Sequence, residues 1–346
     1  MSVADPASQL VAWQARPAAD RTVAVPDLSV VIVNYRSWEQ TGVLVNQLRA
    51  SYGMQEGRAE VVVVDNHSPA HPIATRLRRQ PGISLRRWER NQGFARAANE
   101  GCRLSRGGWF LLLNPDITVP EGFLDDVLKM ADCLQAEEPR TGILGFGLRD
   151  SNGSFQRSSG PFPSFWGTLV RLTMPRKRRK YHWKRHAKGA AVPWVTGCCA
   201  LLKRDCFLDL GGFDEDFFLY YEDVDLCRRA VARGWIVREE PALRVTHHHP
   251  LHQRDVPPQV RLCTRHGLLT YAAKHWSAWQ LRLLAAIIKT EAQWRKGLAQ
   301  RQGRSCDVDI FGQLEALINE VASGHNSAAR QRLVRVMRRQ EAAGGC

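Results

Sequence analysis

Carboxylates follow two apolar segments at the points where buried strands should end. Asp65 comes directly after residues 60–64, and Asp116 closes the stretch that begins with residues 109–113. In an open α/β sheet, the carboxyl ends of the strands form the edge at which ligands bind. Carboxylates at that edge can hold a divalent cation on substrate phosphates. We therefore predict a shared polar site there, with a helix cap or a simple turn as the alternative.

A second set of chemically active side chains lies further along the chain. Glu222 and Asp223 stand where an aromatic run gives way to a predicted helix that ends at Gly234. Acids suit a helix N-terminus, but five of them occur from Asp214 to Asp223, more than capping requires. Three histidines, residues 247–249, follow a predicted strand. Because imidazole is a common metal ligand, these residues suggest metal binding beside acid–base chemistry.

These side chains need a scaffold, and the alternation of apolar strands with helices between residues 28 and 116 favours right-handed βαβ units and a parallel sheet. The expected strands are residues 28–33, 60–64, 83–88 and 109–113, and the expected helices are residues 39–50 and 94–102. No Walker A motif occurs, and no G-x-G-x-x-G motif follows the first strand. If this sheet binds a nucleotide, a metal ion and carboxylates must hold the phosphates.

The rest of the chain is less regular. Residues 142–165 are rich in Gly, Ser, Asn and Pro and should be mostly turns and loops. Trp194 begins another apolar segment, in which Gly197 lets the backbone approach a ligand closely. Residues 260–300 predict one or two amphipathic helices, and residues 308–340 predict two more. Residues 260–300 place Trp276, Trp279, Leu283 and Ile287 on one apolar stripe. This stripe packs on the parent domain or lies in a membrane interface.

The formal net charge of +15 implies negatively charged partners, such as nucleotide phosphates, anionic lipids or nucleic acid. Residues 171–189 carry nine lysines and arginines and no acid. This segment is interpreted as a mobile solvated loop, a lid over phosphates or a patch for anionic lipid. Specific nucleic-acid binding is disfavoured, because aromatic residues are not regularly interleaved with the charges.

The cysteines and the apolar runs bear on location. The nine cysteines are scattered, without a C-x-x-C pair, which suits a reducing cytosol better than a disulfide framework. Residues 1–26 resemble a loose leader without the layout of a signal peptide. The apolar run at residues 283–288 is too short to span a bilayer. We therefore expect a cytoplasmic protein, at most peripheral at the inner face of the cell membrane.

Five ordered motifs between residues 28 and 250 resemble family 2 glycosyltransferases of the GT-A fold, especially the rhamnosyltransferase-like branch of bacterial surface-polysaccharide biosynthesis. The motifs are VVIVNY (30–35), VVVDN (62–66), NQGF (91–94), LLNPD (112–116), and GGFD (211–214) with FLYYEDVDLC (218–227). The resemblance implies a GT-A domain over residues 27–250, with a mostly parallel sheet flanked by helices. Residues 251–346 would form a basic helical appendage.

The resemblance also implies roles for individual residues. Asp116 stands in the family's D-x-D motif and would hold Mg²⁺ or Mn²⁺ on the donor diphosphate, with Asn114 in place of the first acid. His247 would complete the metal site, and His248 stays a candidate because three consecutive histidines leave the register open. Asp223 resembles the catalytic base, with Glu222 beside it. The implied donor-binding residues are Asn34, Tyr35, Asp65, Asn91, Gly93, Phe94, Asn114, Asp116, Trp194 and Gly197.

The resulting hypothesis is an inverting, metal-dependent glycosyltransferase. It would move a sugar, rhamnose from dTDP-rhamnose or a similar dTDP- or UDP-sugar, to a hydroxyl of a glycan or lipid-linked glycan. The basic loop and C-terminal helices would provide peripheral membrane contact. One alternative is a sugar nucleotidyltransferase, although residues 33–38 lack the Gly-rich basic segment of that class. The other is a non-catalytic basic scaffold for membrane or nucleic acid.

Overall fold

The computed structural model describes residues 25–173, 189–249 and 256–342, in which helices flank a mixed sheet and four more helices follow it. The strands are β1 (Leu28–Asn34), β2 (Ala59–Asp65), β3 (Ile83–Arg87), β4 (Trp109–Leu113), β5 (Ile117–Thr118), β6 (Thr141–Arg149), β7 (Phe155–Gln156), β8 (Ser159–Gly160), β9 (Ala190–Ala191), β10 (Trp194–Val195), β11 (Cys199–Lys203) and β12 (Ile236–His247). The helices are α1 (Trp38–Arg49), α2 (Tyr52–Gln55), α3 (Pro72–Arg78), α4 (Phe94–Leu104), α5 (Phe123–Glu137), α6 (Phe165–Thr173), α7 (Arg204–Asp209), α8 (Glu222–Ala232), α9 (Pro258–His275), α10 (Ala278–Arg301), α11 (Ser305–Ala322) and α12 (Asn326–Ala342).

The first half of the sheet is parallel and has β1 at its centre. β1 pairs in parallel with β2 on one side and with β4 on the other, and β2 pairs in parallel with β3. All residues of β2 and β4 are buried, as is typical of parallel strands covered on both faces. The expected βαβ arrangement is confirmed, and it places Asn34 in register with Asp65 at the carboxyl edge.

Helices cover both faces of the sheet. α1 and α5 bury Leu44 and Phe123 on one face, and α4 and α7 bury Ala98 and Phe207 on the other. Full burial of a leucine or phenylalanine side chain contributes about 1.5–3 kcal/mol, so these contacts hold the sheet rigid between its helices. The α/β fold predicted from the sequence, with its helix-flanked sheet and C-terminal helices, is confirmed.

The strand β6 corrects the prediction of turns and loops over residues 142–165. Its nine residues are buried except for the last. Its glycines serve packing, since a Cβ on Gly142 would lie 2.5 Å from Sγ of Cys206, and one on Gly145 would lie 2.6 Å from Cβ of Val195. β11 runs antiparallel between β4 and β6, so the sheet also contains antiparallel pairs.

The helices α9 to α12 build a second core, which Phe218 of the preceding segment joins. Trp276 follows α9 and packs against Tyr271 with ring centroids 6.4 Å apart, whereas Trp279 is exposed, so these two members of the predicted stripe do not share one environment. No described helix is long and apolar enough to cross a membrane. Residues 1–24 of the predicted leader and residues 174–188 of the basic segment lie outside the described residues.

The cysteines agree only in part with the expectation of free thiols. Seven are free in the described part of the chain, and six of these are buried. Cys306 at the start of α11 is disulfide-bonded, which the scattered spacing did not predict.

Candidate active site

Asn34 and Asp65 form a buried and well-bonded pair at the carboxyl edge of the sheet. Nδ2 of Asn34 donates to Oδ1 of Asp65 at 2.9 Å, while Oδ1 of Asn34 accepts from the hydroxyl of Thr41 at 2.9 Å. Nε of Arg87 donates to Oδ2 of Asp65 at 2.9 Å. Both residues are 0% exposed. Because buried polar groups require such partners, these bonds make a rigid floor for whatever binds above the edge.

Tyr35 follows β1 and meets the end of the chain's last helix. Its hydroxyl donates to Oε1 of Glu341 at 2.7 Å, and Nδ2 of Asn91 donates to the same oxygen at 3.2 Å. Burial and then the bond to Glu341 raise the pKa of Tyr35 above its ordinary value. A cavity of about 290 Å³ lies between this edge and α12, and it is lined by His67, Glu89, Arg90, Asn91, Val334, Arg338 and Glu341.

The loop of Asn91, Gly93 and Phe94 joins the sheet edge to the segment before α8. Nδ2 of Asn66 donates to Oδ1 of Asn91 at 3.0 Å and to the carbonyl of Gly93 at 3.2 Å. Gly93 has a φ of 86°, and a Cβ there would lie 2.5 Å from the carbonyl oxygen of Phe218. The amide of Phe94 donates to that same oxygen at 2.6 Å. Glycine at this position therefore allows both the backbone conformation and the close approach.

Asp116 and His247 are brought together by the pairing of β12 with β5. His247 ends β12 in register with Ile117, and its Nε2 lies 3.3 Å from Oδ2 of Asp116. Its Nδ1 lies 3.0 Å from Nε2 and 3.2 Å from Oε1 of Gln156. Burial opposes ionisation of Asp116, but the hydrogen bond from His247 and its charge outweigh burial, so the pKa of Asp116 is lowered.

His248, the other candidate ligand, is directed elsewhere. Its Nε2 lies 2.7 Å from the hydroxyl of Thr118, and its Nδ1 lies 3.1 Å from the hydroxyl of Ser151. Both ring nitrogens are therefore engaged away from the carboxylate of Asp116. Of the two histidines, His247 is the one placed to act with Asp116.

The pair of Asp116 and His247 fits a divalent cation. When the proton is on Nδ1, that nitrogen donates to Oε1 of Gln156, and the Nε2 lone pair of His247 faces Asp116 and can bind a metal; when the proton is on Nε2, Nδ1 accepts from Nε2 of Gln156 instead. A carboxylate with substrate phosphates suits Mg²⁺, and an added imidazole suits Mn²⁺. Among the described residues, no three His, Cys, Asp or Glu side chains converge on one point. The remaining ligands would have to come from a substrate or from water.

Asp223 and Glu222 open α8 and differ in environment. Oδ2 of Asp223 accepts from the amide of Gly197 at 3.0 Å, and Oδ1 accepts from the amide of Val224 at 2.8 Å. Burial raises the pKa of Asp223, and these backbone donors counteract the rise. Glu222 is also buried, and within the described chain its Oε2 has no hydrogen-bond partner. Burial and then the charge of Asp223 raise the pKa of Glu222 well above its usual value.

The backbone before this pair is strained. Tyr220 and Tyr221 both adopt left-handed conformations, with φ of 73° and 72°. Such a conformation costs a non-glycine residue about 1–2 kcal/mol. The carbonyl of Tyr220 packs on Gly267 of α9, where a Cβ would lie 2.4 Å from the oxygen. Strain of this kind persists where the surroundings enforce it, and it is common at functional sites.

Gly197 and Cys198 connect the two halves of the site. The amide of Asn114 donates to the carbonyl of Cys198 at 2.9 Å. The amide of Gly197, the residue before Cys198, donates to Asp223. Burial, and then the charges of Asp116 and Asp223, raise the pKa of the Cys198 thiol to about 12. Trp194 is buried, with its indole N–H donating to the carbonyl of Pro161 at 2.9 Å. It supports this segment from within the core.

Two residues at the site carry no sequence signal that singled them out. Gln156 orients His247 from the two-residue strand β7, in a region where the sequence predicts loops. Glu341 contacts Tyr35 from α12, and the only hint is an isolated acid after a run of arginines. Both act through tertiary contacts that motif spacing does not reveal.

The fold is that of an α/β enzyme with its candidate site at the carboxyl edge of the sheet, and comparison with known proteins gives its family. Residues 29–211, just over half of the chain, match the model of glycosyl transferase family 2. The chain belongs to that family and is a glycosyltransferase. The mixed α/β sheet with flanking helices is the GT-A architecture that the sequence motifs implied.

Two curated proteins that the chain resembles are named as rhamnosyltransferases. The chain is 29% identical to the N-acetylglucosaminyl-diphospho-decaprenol L-rhamnosyltransferase of Mycobacterium tuberculosis (strain CDC 1551 / Oshkosh), over 73% of this chain and 86% of the relative. It is 26% identical to rhamnosyltransferase WbbL of Escherichia coli (strain K12), over 43% of this chain and 55% of the relative. Among solved structures, S. aureus TarS 1-349 aligns over 90% of this chain and 91% of its own, with a TM-score of 0.48 and 15% identity.

Proposed function

We propose that the protein transfers a sugar with inversion from a nucleotide donor to a hydroxyl of a glycan or lipid-linked glycan. The proposed sugar is rhamnose and the proposed donor dTDP-rhamnose, because a relative that matches 73% of the chain and another that matches 43% are both named as rhamnosyltransferases. A divalent cation, Mg²⁺ or Mn²⁺, is proposed to assist. The reaction is proposed to take place at the cytoplasmic face of the membrane, where the acceptor would be anchored.

The observation that carries this proposal is the link through Gly197 and Cys198. These neighbouring residues bond to Asp223 on one side and to Asn114 on the other. We infer from this link that Asp223 and Asp116, which lies two residues after Asn114, serve one site as the proposed proton-accepting and cation-binding carboxylates. Displacement at a sugar carbon needs both functions, one at the leaving diphosphate and one at the acceptor hydroxyl.

Asp223 is proposed as the base. Its carboxylate takes the proton of the acceptor hydroxyl, whose oxygen forms a bond to the anomeric carbon. The bond from that carbon to the donor phosphate breaks, and its electron pair leaves with the nucleoside diphosphate. Such a base contributes about 10²–10⁴-fold to rate. Glu222, whose pKa is raised well above its usual value by burial and by the charge of Asp223, is proposed to be the neutral partner and to leave Asp223 charged.

The donor is proposed to lie along the carboxyl edge. Its nucleoside would rest above the floor of Asn34 and Asp65, beside Tyr35. Asp116 and His247 would hold the cation, which when bound supplies positive charge to the diphosphate. Five other residues predicted to contact the donor would complete this groove: Asn91, Gly93, Phe94, Asn114 and Gly197. Trp194 would act only through the backbone segment that it supports.

Thermal unfolding with candidate donors tests the proposal. We would compare dTDP-rhamnose, UDP-glucose, UDP-GlcNAc, UDP-galactose and GDP-mannose, with and without Mn²⁺, on the wild type, Asp116→Ala and Asp223→Ala. A ligand that binds the native state raises the melting temperature. We expect one donor to do so only with metal, with the effect lost in Asp116→Ala and kept in Asp223→Ala.

Turnover completes this test. Asp223→Asn should lower kcat by about 10²–10⁴-fold. The donor KM should change little, because the remaining side-chain oxygen of asparagine can still accept a hydrogen bond from the amide of Gly197 or Val224. If no donor raises the melting temperature and no sugar is transferred to any acceptor, the proposal is rejected. Metal-independent, salt-sensitive binding of nucleic acid would then favour the scaffold alternative.

A further inference from the structure

The outer side of α10 carries a stripe of exposed apolar side chains. Trp279, Leu283, Trp294 and Leu298 are 54%, 43%, 64% and 37% exposed. At about 100° per residue, all four lie within roughly 100° of the helix circumference, and they extend over about 30 Å of its length. The opposite side of α10 packs in the core of the C-terminal helices. The fold itself therefore does not require this stripe to be apolar.

The helix α6 widens the stripe into a surface. Trp166 and Val170 lie one turn apart on α6 and are 67% and 54% exposed. The buried ring of Phe165 joins the two helices, since its centroid lies 5.0 Å from that of Trp166 and 5.2 Å from that of Trp279. The six exposed apolar side chains therefore belong to one surface. We call it the α6–α10 face.

The charges around the α6–α10 face are positive. α6 contains Arg171 and no acid, and α10 contains five lysines and arginines and one acid, Glu291. Glu291 is neutralised by three arginines, with Arg261, Arg265 and Arg295 at 3.2, 2.6 and 3.0 Å from its carboxylate. Exposed tryptophans flanked by basic side chains are the composition of helices that lie in a membrane interface.

We propose that the α6–α10 face docks on an anionic lipid bilayer. The tryptophans and leucines would enter the boundary between head groups and acyl chains, and the basic side chains would meet the lipid phosphates. α10 would lie along the surface, since no described helix is long and apolar enough to cross it. A second copy of the chain fits less well, because a symmetric contact would set two basic faces against each other.

This inference goes beyond sugar transfer and does not depend on the identity of the donor. If the acceptor is lipid-linked, docking would hold the enzyme at the surface that contains its substrate. Because the face lies on α6 and α10 and includes none of the proposed catalytic residues, docking and catalysis can be measured separately.

Vesicle flotation of the full chain tests the proposal. We would mix the protein with vesicles of neutral phosphatidylcholine, or of phosphatidylcholine with phosphatidylglycerol, and vary the salt concentration. The test variant is Trp279→Ser with Trp294→Ser. The matched control is Val43→Ser with Tyr52→Ser, which removes two apolar side chains that are 56% and 72% exposed on the sheet domain. Melting temperature and donor binding of each variant would establish that it folds.

The expected result is binding of the wild type to anionic vesicles, weaker with salt and much weaker on neutral vesicles. The tryptophan variant should lose at least tenfold in bound fraction at equal lipid, and the control should bind as the wild type. Three outcomes would overturn the proposal: no binding by the wild type, equal loss in the control, or unchanged binding by a folded tryptophan variant. A wild-type dimer in solution that the tryptophan variant abolishes would assign the face to a second copy instead.

Discussion

The hydroxyl of Tyr35 donates a hydrogen bond of 2.7 Å to the carboxylate of Glu341, 306 positions away in the chain. The last turn of α12 thereby lies against the edge where the donor nucleoside is proposed to bind. The side chain of Glu341 is 8% exposed, and His67 lies 3.7 Å from its second oxygen. The C-terminal helix is therefore part of the wall of the proposed donor pocket.

Glu341→Ala should lower the donor KM. A nucleoside that approaches Tyr35 and Asn91 must compete with Glu341 for the hydrogens of these two side chains. Loss of that competition, at about 1 kcal/mol for a hydrogen bond, gives a change of about five- to tenfold. Initial-rate kinetics over a range of donor concentrations would measure it.

Glu320→Ala is the control for the Glu341 variant. It breaks the ion pair of 2.6 Å with Arg332, which joins α11 to α12, and leaves Tyr35 untouched. Its donor KM should stay near that of the wild type. An equal fall in both variants would mean that loosening of α12, and not the carboxylate of Glu341, controls access.

Glu222→Gln should become more stable relative to the wild type as the pH rises. Burial raises the folded-state pKa of Glu222 above its ordinary value of 4.5. Above pH 4.5 the unfolded wild type ionises while the folded state holds its proton, so the wild type loses stability until the pH passes the folded pKa. Each unit of elevation corresponds to about 1.4 kcal/mol. Urea unfolding between pH 4.5 and pH 8 would show the difference.

Asp225→Asn, a substitution in the same helix, should change the pH dependence of stability in the opposite direction. Despite burial, the hydrogen bond to His275 and the charge of Arg229 lower the pKa of Asp225 below its ordinary value of 3.8. The wild type gains stability from this group above pH 3.8 and loses it as the pH falls through the folded pKa. The Asn variant should therefore be less stable than the wild type at pH 7 and approach it in acid. Parallel pH profiles for the two variants would contradict one of the two assignments, and the sign of the common slope would show which.

His247→Ala should weaken Mn²⁺ binding, whereas His248→Ala should not. Nε2 of His247 faces Asp116, but the ring of His248 lies between Thr118 and Ser151. Loss of one of two protein ligands should lower Mn²⁺ affinity at least tenfold in the presence of nucleoside diphosphate. Electron paramagnetic resonance of free Mn²⁺ measures this without turnover. Greater loss in His248→Ala would reverse the choice between the two histidines.

Gly93→Ala should destabilise the protein more than Gly57→Ala. Both glycines have left-handed φ values, 86° and 75°, so alanine is strained at each. At Gly57 nothing lies within 4 Å of a Cβ, whereas at Gly93 the carbonyl oxygen of Phe218 would be 2.5 Å away. We expect a cost of about 1–2 kcal/mol at Gly57 and about 1–3 kcal/mol more at Gly93. Denaturant midpoints would measure both, and equal values would remove the role given to the close approach.

Much of the fold could be predicted from the sequence, because its central strands are buried on both faces and appear as uninterrupted apolar runs. The strands β1, β2 and β4 lie within a residue of their expected bounds, and the C-terminal helices appear where amphipathic patterns place them. β6 was not predicted, because the contacts that require Gly142 and Gly145 come from Val195 and Cys206, which are distant in sequence. From composition alone, a segment rich in glycine, serine, asparagine and proline is predicted to form turns.

The carboxyl-edge acids could be predicted because parallel strands bring their ends together, as Asn34 and Asp65 show. The choice between His247 and His248 could not, since it depends on how β12 pairs with β5. Glu341 could not be predicted either, because the packing of α12 against the sheet domain leaves no local pattern. What sequence spacing misses here are contacts between elements that lie far apart in the chain.

The short pairing of β12 with β5 has a consequence for the quality of purified protein. Two residue pairs, Thr246 with Thr118 and His247 with Ile117, set which histidine faces Asp116. Because successive side chains of a strand alternate between faces, a slip of the two-residue strand β5 by one position would turn Asp116 and His247 apart without changing the pairing of β12 with β6. Circular dichroism and gel filtration would not register that error. When a preparation has a normal spectrum and elution volume but a low specific activity, the fraction of molecules that bind metal should therefore be measured before the loss is attributed to a catalytic residue.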